Sequence, residues 1–295
     1  MVSVSSLASR VKLRLFRELA RFSCEFGYLH RLEWIRCNYP DAFRQRRELA
    51  IAFARSSVRL TNFYYKIDNL DEAAAFCNAV GGMPAPEAMS YFHELFSDRE
   101  LNDALGAKLA ALPDHDRRPM FGRRIVWYAL VRHAKPRVAI ETGVDEGLGT
   151  SVLAAAIARN RREGAPADSR VYGFDLPGER LGHLIPDYLR GDCELVTGDS
   201  RRTLPEFVRT RSPQFFLHDS LHSYEHERFE LQCAWQAAPP GAVLLSDNSH
   251  ALPTLADFAR ENGVDYHYFG ERVVGHWYAG AGAGGIRKPL AERPS

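Results

Sequence analysis

The second half of the sequence alternates short apolar runs with helical segments, and this alternation constrains the fold more than any other feature. Runs of this length, about five residues, suit strands that are buried on both faces of a parallel sheet. The pattern predicts a βαβ series and therefore an α/β fold with a doubly wound, mostly parallel sheet. The apolar runs lie at 137–141, 171–175, 194–197, 214–218 and 242–246, and helical stretches lie at 151–162, 202–210 and 224–238.

The end of the chain has a different pattern. Residues 264–269 and 272–278 both alternate between apolar and polar side chains, with Gly270 and Glu271 between them. This arrangement predicts a C-terminal antiparallel hairpin at the edge of the sheet. Residues 281–295 are rich in glycine, proline and charge, which predicts a flexible tail.

The first part of the chain lacks clear alternating strands, and glycine and proline clusters break it into helices. We therefore expect a helical N-terminal region at 1–117, a domain at 118–280 and a helix at 123–133 that leads into the first strand. The N-terminal helices would form a lid, a cover for the substrate or a surface for homo-oligomer formation, and the sequence does not choose between these roles.

Charge and cysteine content exclude several classes of protein. The 38 Lys and Arg residues nearly balance 37 Asp and Glu residues, so no basic field points to nucleic acid as a partner. No apolar stretch is long enough to predict a membrane span. The five cysteines are odd in number and lack CxxC spacing, which argues against a disulfide framework and favours a cytoplasmic location.

The first predicted strand ends in a glycine-rich turn. Gly143, Gly147 and Gly149 allow a tight turn and a close approach of the backbone to a ligand, and Thr150 and Ser151 then begin a helix. Such a turn alone suits NAD, a phosphate or an adenosyl group. The pyrophosphate fingerprint is absent, however, and the acidic Asp145 is a poor neighbour for phosphates.

Polar residues also follow the other strands, where ligands bind in sheets of this kind. Asp175 ends the second strand, where an acid commonly accepts hydrogen bonds from the two ribose hydroxyls. Asp199 and Ser200 follow the third strand, and the Asp199 carboxylate can reach an adenine amino group. The fourth strand ends in the segment Asp219-Ser220-Leu221-His222-Ser223-Tyr224-Glu225, and the fifth in Ser246-Asp247-Asn248.

Taken together, these pieces resemble a class I S-adenosylmethionine-dependent methyltransferase over about residues 120–280. The segment 219–225 is similar to the D-x-x-H-x-Y-E segment of methyltransferases that modify macrolide sugars, and 244–248 resembles the metal strand of catechol-type O-methyltransferases. The resemblance implies S-adenosylmethionine as cofactor. The residues that would bind it are Glu141, Thr142, Gly143, Gly147, Thr150, Ser151, Asp175, Asp199, Ser200 and Asp219.

The same resemblance implies a divalent cation, Mg²⁺ or a similar ion, held by Asp219, Asp247 and Asn248. All three residues offer hard oxygen donors. His222 would be the general base that takes the proton of a metal-bound hydroxyl. The implied reaction is O-methylation of a small molecule, such as a natural-product sugar or another polyhydroxylated metabolite.

Two other functions stay open on the sequence alone. One is a metal-independent methyltransferase that acts on nitrogen or carbon, and the other is an inactive methyltransferase fold that serves as a binding module. Among the other histidines, we expect His218 to be buried and satisfied, and His250 is the next candidate for the base.

Overall fold

A computed structural model describes residues 7–19, 24–56, 64–112 and 119–291. Its main sheet has seven strands in the order β4-β3-β2-β5-β6-β9-β7. The first five of these are parallel, and β9 pairs antiparallel with both β6 and β7. The strands of the chain are β1 (Lys66–Ile67), β2 (Val138–Thr142), β3 (Arg170–Asp175), β4 (Cys193–Thr197), β5 (Phe215–His218), β6 (Val243–Asp247), β7 (His267–Gly270), β8 (Val273–Val274) and β9 (Gly282–Arg287).

This strand order confirms the predicted doubly wound α/β fold. The parallel strands are buried on both faces, as their continuous apolar runs require: Phe215, Phe216 and Leu217 are all at most 1% exposed. Phe216 and Leu244 pack with Phe258 in one core cluster. The helices are α1 (Leu7–Leu19), α2 (Cys24–Asn38), α3 (Pro40–Gln45), α4 (Arg47–Arg55), α5 (Leu70–Gly81), α6 (Ala85–Ser97), α7 (Arg99–Ala110), α8 (Arg124–Ala134), α9 (Leu148–Arg162), α10 (Ser200–Val208), α11 (Tyr224–Ala237) and α12 (Thr254–Glu261).

The C-terminal strands correct two of the sequence predictions. The strand β7 pairs with β9 rather than with residues 272–278, and β8 instead pairs with β1 in a separate two-stranded sheet. Residues 282–287 are therefore a strand inside the main sheet and not part of a flexible tail. Glycine makes this position possible, because a Cβ on Gly285 would lie 2.7 Å from the Cγ2 atom of Val80.

The chain divides into two compact units, and this division corrects the predicted boundary at residue 117. The larger unit contains 69–108, 123–271 and 281–295, and the smaller unit contains 1–68, 109–122 and 272–280. The helices α5, α6 and most of α7 thus belong with the main sheet. Buried Arg132 on α8 explains part of this grouping, because its guanidinium contacts Glu94 on α6 at 2.6 Å and Glu163 at 2.8 Å.

The smaller unit has an aromatic core of its own. Trp277, which is 1% exposed, makes edge contacts with Trp34 and Tyr39 at ring-centroid distances of 6.1 and 5.3 Å. Arg46 donates hydrogen bonds to the backbone carbonyls of Val273, His276 and Tyr278 and so fixes the returning segment.

Two further sequence expectations can be compared with the described part of the chain. None of its helices is long and apolar enough to cross a membrane. The cysteines whose side chains are described are all unpaired: Cys37, Cys77, Cys193 and Cys233.

Candidate active site

The candidate site lies in the larger unit, at the carboxyl ends of β2, β3, β5 and β6. The turn after β2 requires glycine at its first position. Gly143 has a φ of +88°, and a Cβ there would overlap the backbone carbonyl of Asp219 at the end of β5. Only a residue without a side chain allows these two strand ends to approach so closely.

Asp175, at the end of β3, has the geometry of a ribose acceptor. Its Oδ2 accepts a hydrogen bond from the backbone N–H of Asp145 at 2.8 Å, and its Oδ1 accepts one from Leu176 at 2.7 Å. A carboxylate can accept about four hydrogen bonds, so each oxygen keeps capacity for one more partner. The side chain is half-buried and its position is fixed, and it therefore fits a ligand that presents two hydroxyls.

Four of the predicted cofactor residues have side chains that are buried and bonded inside the protein. Thr150 donates to Glu141, Thr142 donates to Glu230 at 2.6 Å, and Ser151 donates to the Gly147 carbonyl at 2.6 Å. Burial raises the pKa of Glu141 to about 8, although the Thr150 hydrogen bond opposes this rise. At this turn the side chains support the loop, and only its backbone is left for a ligand.

The two residues after β4 differ in whether their side chains face the solvent or the protein interior. Asp199 is exposed and caps α10, since its carboxylate accepts a hydrogen bond from the Arg201 N–H at 2.9 Å. Ser200 instead turns inward and donates to Glu230. Of the two, only Asp199 keeps its side chain at the surface, where an adenine could contact it.

Glu230 on α11 joins several strand ends beneath the site. Besides Thr142 and Ser200, it binds His218 at 2.7 Å and His226 at 2.9 Å. Burial opposes its ionisation, but the hydrogen bonds from the two histidines hold the pKa of Glu230 well below its usual range. His218 is fully buried, as predicted; its Nδ1 is paired with Glu230, whereas its Nε2 lacks a hydrogen-bond partner.

Asp219 and His222 come together after β5. The Nε2 atom of His222 lies 3.6 Å from Oδ1 of Asp219 and 3.1 Å from Nδ2 of Asn248. Burial, together with the charge of Asp247, raises the pKa of Asp219 to about 6. Burial disfavours a charged imidazole, but the hydrogen bond and charge of Asp219 outweigh it and raise the pKa of His222.

Asp247, at the end of β6, is fully buried and ion-paired with Arg123. The Nε and Nη2 atoms of Arg123 donate to the two carboxylate oxygens of Asp247, and its Nη1 donates to Glu271 at 2.9 Å. Its Nη2 also lies 3.4 Å from Oδ1 of Asn248. Although burial raises the pKa of Asp247, the charge and hydrogen bonds of Arg123 lower it by more.

This ion pair decides how well the site fits a divalent cation. Asp219, His222 and Asp247 each offer a ligand atom, and these atoms lie within 4.8 Å of one another. However, both oxygens of Asp247 already accept from a guanidinium, and the Asn248 oxygen faces the same group. Mg²⁺ at the predicted donors would stand beside a permanent positive charge, so the fit is poor.

Sequence reasoning did not find Arg123, Glu271 or Glu230. One signal for Arg123 was present in the sequence, because Arg123 and Arg124 stand at the start of an apolar helix that leads into β2. Positive charge is disfavoured at a helix N-terminus, so this pair indicated acidic partners from elsewhere in the chain. The other histidine candidate, His250, is exposed in the loop after β6.

One comparison with known proteins covers the part of the chain that contains this site. A family model described as a methyltransferase domain matches residues 140–249, which contain the strand ends from β2 to β6. No curated protein matches the sequence significantly.

Several solved structures are similar to this chain at low identity. An O-methyltransferase from Bacillus cereus in complex with SAH is 18% identical, with 65% of this chain and 92% of that chain covered and a TM-score of 0.46. The O-methyltransferase TomG from Streptomyces achromogenes, involved in tomaymycin synthesis and in complex with SAM, is 17% identical, with coverages of 65% and 91% and a TM-score of 0.47. Similarity this low does not carry a substrate from one chain to the other.

The matched stretch, the strand order and the glycine turn beside a fixed aspartate lead to one conclusion. Residues 140–249 form a methyltransferase domain.

Proposed function

We propose that this enzyme methylates a hydroxyl group of a small molecule, a natural-product sugar or another polyhydroxylated metabolite. The observation that carries the proposal is the position of His222. It contacts Asp219 and Asn248 at the same sheet edge as the Gly143 turn and Asp175. A base at this place is what a hydroxyl acceptor needs.

The cofactor residues follow from the geometry of the strand ends. Asp175 would hold the two ribose hydroxyls with its remaining lone pairs, and the backbone at Gly143 and Gly147 would pass close to the ligand. Asp199 would contact the adenine, and Asp219 lies beside the turn. When bound, S-adenosylmethionine supplies an electrophilic methyl group on its sulfonium, which an acceptor oxygen can attack with loss of the thioether.

The task of the protein is then to orient the acceptor and remove its proton. A sugar or phenol hydroxyl is mostly protonated at neutral pH, so a base must accept the proton as the oxygen attacks. The imidazole of His222 would accept it, and the neighbouring Asp219 would stabilise the imidazolium that forms. An amine acceptor has much less need of a base, which is why we favour oxygen over nitrogen.

Magnesium dependence, which the resemblance implied, is not part of this mechanism, because Asp247 and Asn248 are shared with Arg123. A role of the N-terminal helices as a substrate cover or dimer surface stays a prediction.

Two measurements test the proposal. Calorimetric titration with S-adenosylmethionine should show one bound equivalent. A screen of hydroxylated, amino and carbon acceptors with tritium-labelled cofactor should then transfer label to hydroxyl compounds. Label on nitrogen or carbon alone would favour the metal-independent N- or C-methyltransferase, and absence of cofactor binding would favour the inactive binding module.

A further inference from the structure

Arg123 contacts Asp247 and Asn248, two of the three residues predicted to bind a divalent cation. We propose that the guanidinium of Arg123 replaces the cation as a built-in counter-ion, so that the site needs no divalent metal. We further propose that Arg123 acts as a positioning residue, which orients His222 through Asn248. This inference rests on the proposed function, because it concerns the same strand ends.

The first argument is the way in which the guanidinium is held. Three of its nitrogens face acidic or amide groups: Nε and Nη2 face Asp247, Nη1 faces Glu271, and Nη2 also faces Asn248. The backbone N–H of Arg123 donates to Glu271 as well, at 3.2 Å. Because the side chain is only 7% exposed, the arginine cannot swing into water to make room for an ion without removing the guanidinium from the buried carboxylates of Asp247 and Glu271.

The second argument is the permanence of the charge. A guanidinium does not lose its proton in a protein, so it cannot become neutral when a cation approaches. A cation bound by Asp219 and Asp247 would lie next to this charge in a buried environment, where like charges repel strongly. Arg123 and a divalent cation therefore exclude each other at Asp247.

The third argument is the donor set. With Asp247 bonded to Arg123 and an amide at position 248, Asp219 is the remaining carboxylate among the three predicted ligands. Its other neighbour, His222, is a nitrogen ligand, whereas Mg²⁺ prefers oxygen. One carboxylate beside an imidazole is a weak site for a hard cation.

The positioning role follows from the amide of Asn248. Its Oδ1 faces Nη2 of Arg123 at 3.4 Å, and its Nδ2 donates to Oδ2 of Asp247 at 2.8 Å. A positive group on one side and a negative group on the other fix which way the amide points. Its N–H₂ group is thereby directed at Nε2 of His222, 3.1 Å away, and restricts the orientation of the ring.

A titration with Mn²⁺, followed by electron paramagnetic resonance on the full chain, tests the metal part without any acceptor. We expect the wild-type protein and Asn248→Asp to bind no stoichiometric Mn²⁺, because both keep Arg123. The double variant Arg123→Gln/Asn248→Asp should gain one bound equivalent, and addition of Asp219→Asn should abolish it. One equivalent of Mn²⁺ on the wild-type protein, lost in Asp219→Asn, would overturn the proposal.

The wild-type titration decides the metal question even if the double variant fails to fold. This titration also tests the metal argument separately from the proposed function. A protein that binds neither S-adenosylmethionine nor Mn²⁺ would contradict the proposed function but would agree with the metal argument. Wild-type turnover in excess EDTA should be unchanged, and loss of turnover that Mg²⁺ restores would refute the counter-ion role.

The positioning role has its own readout in folded Arg123→Lys. Lysine keeps the charge but cannot bond both oxygens of Asp247 and reach Asn248. We expect kcat to fall while KM and cofactor affinity stay near wild type, and the pH at which the rate is half-maximal to shift as His222 changes its contacts. A variant with unchanged kcat and pH profile would show that Arg123 serves the fold alone.

Discussion

The carboxyl ends of the parallel strands form two regions in which charged groups are paired in different ways. We call the ends of β2 and β3 the cofactor half and the ends of β5 and β6 the acceptor half. At the ends of β2 and β3, buried side chains such as Glu141 and Thr142 are bonded inside the protein, and Asp175 presents a half-buried carboxylate with free lone pairs. At the ends of β5 and β6, charged groups lie close together, and Arg123 from elsewhere in the chain pairs with both Asp247 and Glu271.

The difference reflects what each half has to do. A cofactor that carries its own positive charge needs a shaped backbone and one diol acceptor, and local sequence supplies both. Deprotonation of an acceptor needs an imidazole held among charges, and these charges must be balanced by residues far away in sequence. Arg123 and Asp247, for example, are 124 residues apart. Mutations at the two halves should therefore have separable effects.

Removal of the proposed base should have the largest effect on catalysis. His222→Ala should lower kcat roughly 10²–10⁴-fold, because the acceptor hydroxyl then loses its proton to water. The wild-type rate should rise with pH, since only neutral imidazole accepts a proton, and the raised pKa of His222 shifts this rise towards higher pH. The variant should lack this rise of the rate with pH. Steady-state kinetics across pH with an acceptor from the screen measures both effects.

A matched control for this variant is His93→Ala, which removes an exposed histidine on α6 of the same unit. It should leave kcat and the pH profile unchanged. If His222→Ala raised KM and left kcat intact, His222 would be a binding residue, and His250 would become the candidate base.

Loss of the counter-ion should have the largest effect on stability. Arg123→Gln leaves Asp247 and Glu271 buried without their cationic partner, which should lower the free energy of unfolding by about 3–5 kcal/mol. Urea denaturation measures this change. Arg228→Gln breaks an exposed ion pair with Glu261 and should cost much less. Equal losses in the two variants would mean that the Arg123 pair is no stronger than a surface contact.

Substitution of Asp175 should weaken cofactor binding and leave the residues of the acceptor half unaffected. Asp175→Ala should weaken S-adenosylmethionine binding by about 2 kcal/mol or more, because two charge-assisted hydrogen bonds to the ribose are lost. Asp175→Asn, which keeps one acceptor oxygen, should lose less. Calorimetry on both variants, with exposed Asp265→Ala as control, checks the prediction. Wild-type affinity in Asp175→Ala would remove this residue from the site.

The part of the fold that could be predicted is the part whose signals are local. Short apolar runs identified the strands from β2 to β6, and the acids at their ends were recognised because topology alone brings such ends together. The strand β9 was missed because its sequence, Gly282-Ala283-Gly284-Gly285-Ile286-Arg287, has neither alternation nor high strand propensity. Its place depends on the close approach of its neighbours, such as Val80 against Gly285.

Distant contacts also limit what the sequence shows about the two units and about the predicted metal site. The smaller unit is built from three separate stretches of chain, and no composition change marks the return of residues 272–280 to it. The sequence predicts Asp247 and Asn248 as metal ligands because it shows which residues offer ligand atoms. It does not show which of these atoms are already hydrogen-bonded in the fold. The Arg123–Asp247 pair becomes visible only when α8 is folded against the end of β6.

A pH-dependent effect on stability concerns Glu141, whose carboxyl is buried under the β2 turn and has a pKa of about 8 in the folded protein. In the unfolded chain its pKa is the ordinary 4.5, so the native state holds one more proton between these two values. Stability should therefore fall as pH rises through this window, by at most about 1.4 kcal/mol per pH unit, and level off above it. Glu141→Gln carries no titrating group and should lack this contribution. The difference in unfolding free energy between variant and wild type, measured by urea denaturation from pH 5 to pH 8, should move steadily in favour of the variant, whereas exposed Glu206→Gln should show no such trend. A pH-independent difference for Glu141→Gln would mean that this carboxyl is ionised in the fold, and the cofactor half would then contain a buried charge like the acceptor half.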